Sequence, residues 1–231
     1  MKKMIALLTV FCLLLAGCAD TREETVETTA PAETEAVQTE AAVTEVAEAG
    51  RTVAPLPDST MENLTDAILS VSLQEGDAYV DDSGIMQMEL KIYTYDRYDM
   101  VDMAALEPGD ILVTHSGEVK VVSKEQDETG TIHINGGLEN DGFDLVTDDS
   151  GIYYQRGFND VKNWYEAGEA TIRVSVDFEF VDRADLEQGE VIFYPGSFLI
   201  GEVTNYDFTP YNTTIRVAEG QIMEMTRVYT P

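Results

Sequence analysis

The chain has 231 residues, 44 Asp and Glu against 14 Lys and Arg, and a formal net charge of −30. A field that negative repels phosphate backbones and anionic bilayers, which excludes nucleic-acid binding or membrane docking through bulk charge. Two cysteines and two histidines leave little material for thiol or imidazole chemistry.

Lys2 and Lys3 open the chain with positive charge, and Met4 to Leu15 is apolar apart from Thr9. A run of about a dozen residues is too short to span a hydrocarbon core, which takes about 20, and suits a secretory signal. It ends in Leu15-Ala16-Gly17-Cys18. That order resembles the lipobox of bacterial lipoproteins, over residues 1–18 alone. The resemblance implies that residues 1–17 are removed as a signal peptide. It also implies that the Cys18 thiol takes a diacylglyceryl group and the new N-terminus an acyl chain such as palmitate. Two or three acyl chains exceed the single-chain limit for reversible anchoring. The expected location is extracytoplasmic, lipid-anchored to the membrane at a bacterial cell surface, on the outer face of a single-membrane cell. Cys12 leaves with the signal, so the mature chain keeps no thiol nucleophile, disulfide or cysteine metal ligand.

Residues 18–58 read as an acidic, disordered tether. Of the 39 residues in 19–57, 25 are Ala, Thr or Glu and none is aromatic. Such a stretch buries too little apolar surface to offset its ordering entropy. A flexible chain of this length averages roughly 35 Å end to end.

Residues 59–231 are expected to form an all-β domain, an antiparallel barrel or sandwich. In 86–92, Met86, Met88, Leu90 and Ile92 alternate with polar residues, which is the period of a half-buried strand. In 171–181, Ile172, Val174, Val176, Phe178 and Phe180 are expected on one face. Shorter strands are expected at 111–115, 118–124, 131–135, 143–147, 152–156, 191–194, 197–204, 213–218 and 221–229. Gly-containing turn pairs separate many of them, as in a compact all-β fold. Met100 to Leu106 suits a helical turn. No long amphipathic helix is expected.

Residues 101–111 echo residues 181–191 at an offset of 80, with Leu106 matching Leu186 and Gly109 matching Gly189. The echo suggests two related small β units, halves 59–168 and 169–231. In each, the leucine would plug a core and the glycine would supply a positive-φ turn before a strand.

No nucleophile elbow, phosphate loop or His-Glu-x-x-His pattern occurs. His115 falls beside a hairpin turn, and His133 falls mid-strand, facing away from Ile132 and Ile134. Neither reads as a general base. Two candidate sites remain. Glu139, Asp141, Asp144, Asp148 and Asp149, mixed with glycines, are oxygen donors of the type calcium takes. Asp148-Asp149-Ser150-Gly151 nonetheless repeats Asp81-Asp82-Ser83-Gly84, the chemistry of a hairpin turn. Trp164, Tyr165, Tyr153 and Arg156 form an aromatic and cationic set suited to a glycan or to a peptide or protein ligand. The leading functional expectation is a non-enzymatic binding module on a surface lipoprotein. The alternatives are a carboxylate-dependent glycan or peptide hydrolase and a calcium-stabilised structural domain.

Overall fold

The computed structural model of the protein describes residues 50–157, 160–199 and 207–230. Cys18, the signal segment and the tether up to residue 49 lie outside them.

The described chain is all-β. Its strands are β1 (Thr52–Val53), β2 (Ala67–Ser72), β3 (Ala78–Val80), β4 (Met86–Thr94), β5 (Arg97–Tyr98), β6 (Ile111–Thr114), β7 (Gly117–Lys120), β8 (Lys124–Gln126) and β9 (Ile132–Ile134). They continue with β10 (Phe143–Thr147), β11 (Tyr153–Arg156), β12 (Tyr165–Arg183), β13 (Val191–Phe193), β14 (Thr213–Ala218) and β15 (Gln221–Val228). Two short α-helices, α1 (Met100–Ala104) and α2 (Pro195–Leu199), and 3₁₀ turns at Thr60–Glu62 and Leu138–Asn140 accompany them.

Strands β2, β4, β12, β15 and β14 pair in that order, and β14 pairs back onto β2, so five strands close into a barrel. Strand β12 makes closure feasible. Its first half, Tyr165 to Arg173, pairs antiparallel with β4, and its second half, Arg173 to Arg183, pairs parallel with β15. A 19-residue strand can serve both neighbours only by bending, and it bends at irregularities. The larger lies between Val174 and Glu179, where five residues of advance on β12 meet two on β15.

That bulge corrects the expected alternation. Ile172, Val174, Phe178 and Phe180 are buried, but Val176 is 84% exposed and Ser175 is buried in its place. The Ser175 hydroxyl accepts the Asp177 amide at 3.2 Å. Phe178 and Phe180 then pack edge-on against Phe198, which α2 carries into the barrel. Residues 197–199, expected to begin a strand, belong to that helix; the rest of that expected strand, 200–204, lies outside the described residues.

Residues 97–156 form a second core, inserted between β4 and β12. Its sheet runs β5-β11-β10-β9-β8, with the small β1-β6-β7 sheet beside it. Tyr98, Met103, Leu106, Leu112, Val121, Ile132, Ile134, Leu145 and Tyr153 fill it, with Val53. Two cores therefore exist, but halves cut at residue 168 divide the barrel: β2 and β4 lie before the cut, and most of β12, with β14 and β15, lies after it. The tether also ends earlier than 58. Val53 is 3% exposed, β1 pairs parallel with β6, and the Leu56 amide donates to the Arg97 carbonyl at 2.6 Å.

The echoed segments share only their turns. Gly109 and Gly189 both take positive φ, +105° and +74°, and each is soon followed by a strand, β6 or β13. Leu106 plugs the second core at 1% exposure, whereas Leu186 is 72% exposed. Residues 101–104 are helical, and 181–183 are the end of β12.

Candidate ligand-binding site

Thr94 is the last residue of β4 and Tyr165 the first of β12, and the two are paired. The chain leaves the barrel after Thr94 and returns before Tyr165, so Tyr95 and Trp164, one step beyond that couple, are neighbours. Their rings meet edge to face at 5.0 Å, 86° apart. Tyr95 meets Tyr154 in the same way at 5.8 Å. Edge-to-face contacts at these separations are favourable. Tyr154 arrives because β11 pairs with β5, with Tyr154 opposite Arg97.

Lys162 is held beside these rings by a bridge pairing with Arg156. Its Nζ donates to the Tyr95 hydroxyl at 2.9 Å. It also lies 4.0 Å from the Tyr95 ring centre, 5.4 Å from that of Tyr154 and 5.5 Å from that of Trp164. All three distances are within cation–π range. The Tyr95 and Trp164 rings, with Lys162, border a cleft of about 430 Å³ whose other walls include Ile68, Ser70, Tyr93, Arg97 and Thr214. Ile68 is 75% exposed there. Thr60 and Thr94 also line it, and their hydroxyls donate to Asp58 at 2.7 and 3.0 Å. Burial would raise the Asp58 carboxyl, but these hydrogen bonds overcome it and hold the group below the ordinary carboxylate value.

The four aromatic and cationic residues expected to share a site separate. Trp164 lines this cleft. Tyr153 and Tyr154 point to opposite faces of β11, as a regular strand requires, and Tyr153 is the one buried in the second core, where its hydroxyl accepts from Gln126. Tyr165 stacks on His115 at 4.3 Å. Burial, with the Asp96 charge beside it, pushes its hydroxyl up to about 12. Arg156 pairs with Asp144 and with Asp160. Tyr154 belongs by sequence to the same aromatic run as Tyr153 and Trp164, and Tyr95 to a smaller stripe with Tyr93 and Tyr98; Lys162 carries no such signal, and the three meet only because β4 pairs with β12 and β5 with β11.

Arg156 belongs to a second cleft, of about 560 Å³, lined by His133, Asp144, Gly137, Glu125, Glu139 and Asp160 among others. His133 Nδ1 donates to Asp144 at 2.8 Å, and Asp127 lies 3.5 Å from Nε2. The bond to Asp144 raises the His133 pKa, with burial opposing. Burial alone would raise Asp144; the bonds from Arg156 and His133 outweigh it and lower that carboxyl. Gly137 lets the pair close. A Cβ there would stand 2.6 Å from the Asp144 carboxylate and 3.0 Å from His133 Nδ1, and φ is +72°. The other histidine follows similar logic: His115 Nδ1 lies 3.0 Å from Asp96, which is 3% exposed, and Nε2 lies 3.0 Å from Ser116 Oγ.

The five acids expected around a cation do not converge. Asp144 is taken up by His133 and Arg156. Asp148 Oδ1 accepts the Ser150 amide and hydroxyl and the Ile152 amide, the same turn that Asp81 makes with Ser83 and Ile85. Asp141 occupies a left-handed position after a 3₁₀ turn that contains Glu139. Strand β10 separates Asp141 from Asp148 and Asp149 by about 17 Å of extended chain. Among the described residues, no group of three or more His, Cys, Asp or Glu is placed to hold a metal ion. No described helix is long and apolar enough to cross a membrane.

No protein-family model, curated protein or solved structure matches the chain.

Proposed function

We propose that this is a lipid-anchored bacterial surface protein whose β domain is a non-enzymatic saccharide-binding module. Cys18 would hold the membrane, residues up to about 50 would act as the spacer, and the Tyr95–Trp164 cleft would take the ligand. The observation that carries the reading is the open aromatic cleft with hydroxyls on its walls. Pyranose C–H faces stack on aromatic rings, and the Ser70, Tyr93, Tyr95 and Thr214 hydroxyls suit sugar hydroxyls. A peptide is less well served. The barrel strands lining the cleft, β2, β4 and β14, are each paired on both sides, and on the edge strand β5 the Arg97 carbonyl already accepts the Leu56 amide, which leaves little free edge for β-augmentation.

Trp164 is the only tryptophan in the chain, so its fluorescence reports on this cleft alone. Full-length protein in detergent, titrated with polysaccharide fragments, is expected to show a saturable change. Tyr95→Ala should weaken binding roughly tenfold, the scale of one aromatic contact. In cells, wild-type protein should incorporate labelled palmitate and Cys18→Ser should not. Absence of any fluorescence response sinks the binding reading, and label retained by Cys18→Ser sinks the anchor.

A further inference from the structure

We infer that the Tyr95–Trp164 cleft selects an acidic saccharide, a pyranose bearing a carboxylate, over its neutral counterpart; this rests on the saccharide-binding reading above. The chain has 44 acids against 14 Lys and Arg, so any cavity lined without acids is unusual for it. Two other clefts follow the bulk composition: one is lined by Asp77, Glu89 and Glu169, the other by Glu125, Glu139, Asp144 and Asp160. The Tyr95–Trp164 cleft is lined by Arg97 and Lys162 and by no Asp or Glu.

Those two cations also lack an ion pair, as Lys120, Lys124 and Arg173 do among the described residues; what sets Arg97 and Lys162 apart is that they line one acid-free cleft together. Arg51, Lys91, Arg156, Arg183, Arg216 and Arg227 each sit within 4.0 Å of a carboxylate. Arg97 and Lys162 have no such ion pair among the described residues. Arg97 donates to the Pro57 carbonyl at 3.1 Å, and Lys162 to the Tyr95 hydroxyl. Both acceptors are neutral, so both positive charges stay uncompensated at contact distance. Asp58 acts on Arg97, and Lys162 on Asp148, only as longer-range charges. Asp58 Oδ1 is already taken by the Thr60 and Thr94 hydroxyls.

An anion entering this cleft therefore meets two donors without having to break a salt bridge. The protein's overall negative field does not prevent this, because it is screened over about 8 Å at physiological ionic strength while contacts in the cleft are not. Tyr95 and Trp164 supply the ring-stacking surface, and Arg97 and Lys162 supply charge-assisted hydrogen bonds to a carboxylate on the ring edge. Neutral sugars would use the first and forgo the second.

The test titrates full-length protein, following Trp164 fluorescence, with oligoglucuronate, oligogalacturonate and oligomannuronate and with the carboxyl-reduced form of each. At least one acid should bind about tenfold tighter than its reduced form, the scale of one hydrogen bond to a charged group. Lys162→Gln and Arg97→Gln, each checked for a wild-type melt, should shrink that preference, the ratio of acid to neutral affinity falling toward one. If one variant fails to fold, the other decides. Lys120→Gln, an exposed lysine on β7, should leave the preference intact. Equal affinity for acid and reduced forms overturns the inference and leaves saccharide binding standing. A preference lost equally in Lys120→Gln overturns it in favour of a bulk charge effect. Silence from all six probes overturns both.

Discussion

His133 and Asp144 bring a titrating imidazole against a buried carboxylate, and stability should follow their two ionisations in opposite senses. His133 is raised above its ordinary 6.5 by the bond to Asp144. Its contribution is fully present below pH 6.5 and is lost as pH rises through the higher folded value. Asp144 is lowered below 3.8, so its contribution is present above 3.8 and is lost as pH falls through the lower folded value. Asp127, Arg156, Asp160 and the cleft acids Glu125 and Glu139 face the same pair and set its charge background. Thermal melts between pH 5 and pH 9 (about the range His133 spans) should show wild type losing stability toward alkaline pH more steeply than His133→Gln. Parallel curves for the two would remove His133 from the account.

At the scale of elements, β12 decides how the barrel closes, and its bulge sets which side chains face inward. Phe178 is fully buried against Phe198, so Phe178→Ala should destabilise by about 3–5 kcal/mol. Val176, two residues earlier and 84% exposed, has no such contacts to lose. Val176→Lys should change stability by less than about 0.5 kcal/mol. Urea midpoints for the two variants, at unchanged slope, test the bulge directly. A strictly alternating strand would make Val176→Lys as damaging as Phe178→Ala.

For the molecule as a whole, the point where the tether becomes the domain is a question of energy. Arg51 donates its amide to Asp110 at 2.7 Å, Val53 is buried, and β1 extends the small sheet through β6. Burying one valine is worth about 1.5–3 kcal/mol. A fragment starting at residue 55 should therefore melt several degrees below one starting at 48, at about 2–4 °C per kcal/mol for a domain of this size. Equal melting temperatures would return residues 50–54 to the tether.

Much of the architecture was legible from local chemistry. The period-two pattern of β4 and the strands 143–147 and 213–218 were readable because side chains alternate faces along an extended chain. The Asp-x-Ser-Gly turns were readable because an aspartate accepts the amides two and four residues on. Other features depended on long-range pairing. The bulge in β12 exists because one strand must serve β4 and then β15, a demand that no window around Val176 contains. Leu106 and Leu186 share a local sequence and part company because only one has a core in front of it. Composition by itself determined that the chain is acidic and short of thiol and imidazole groups, and the alternating patterns beyond residue 59 determined that it is all-β there. Only the tertiary structure decided which aromatic residues meet and which two cations share a cleft that no acid lines. Tyr95 and Trp164 lie 69 residues apart in the chain, and the pairing of Thr94 with Tyr165 is the physical fact that makes them one surface.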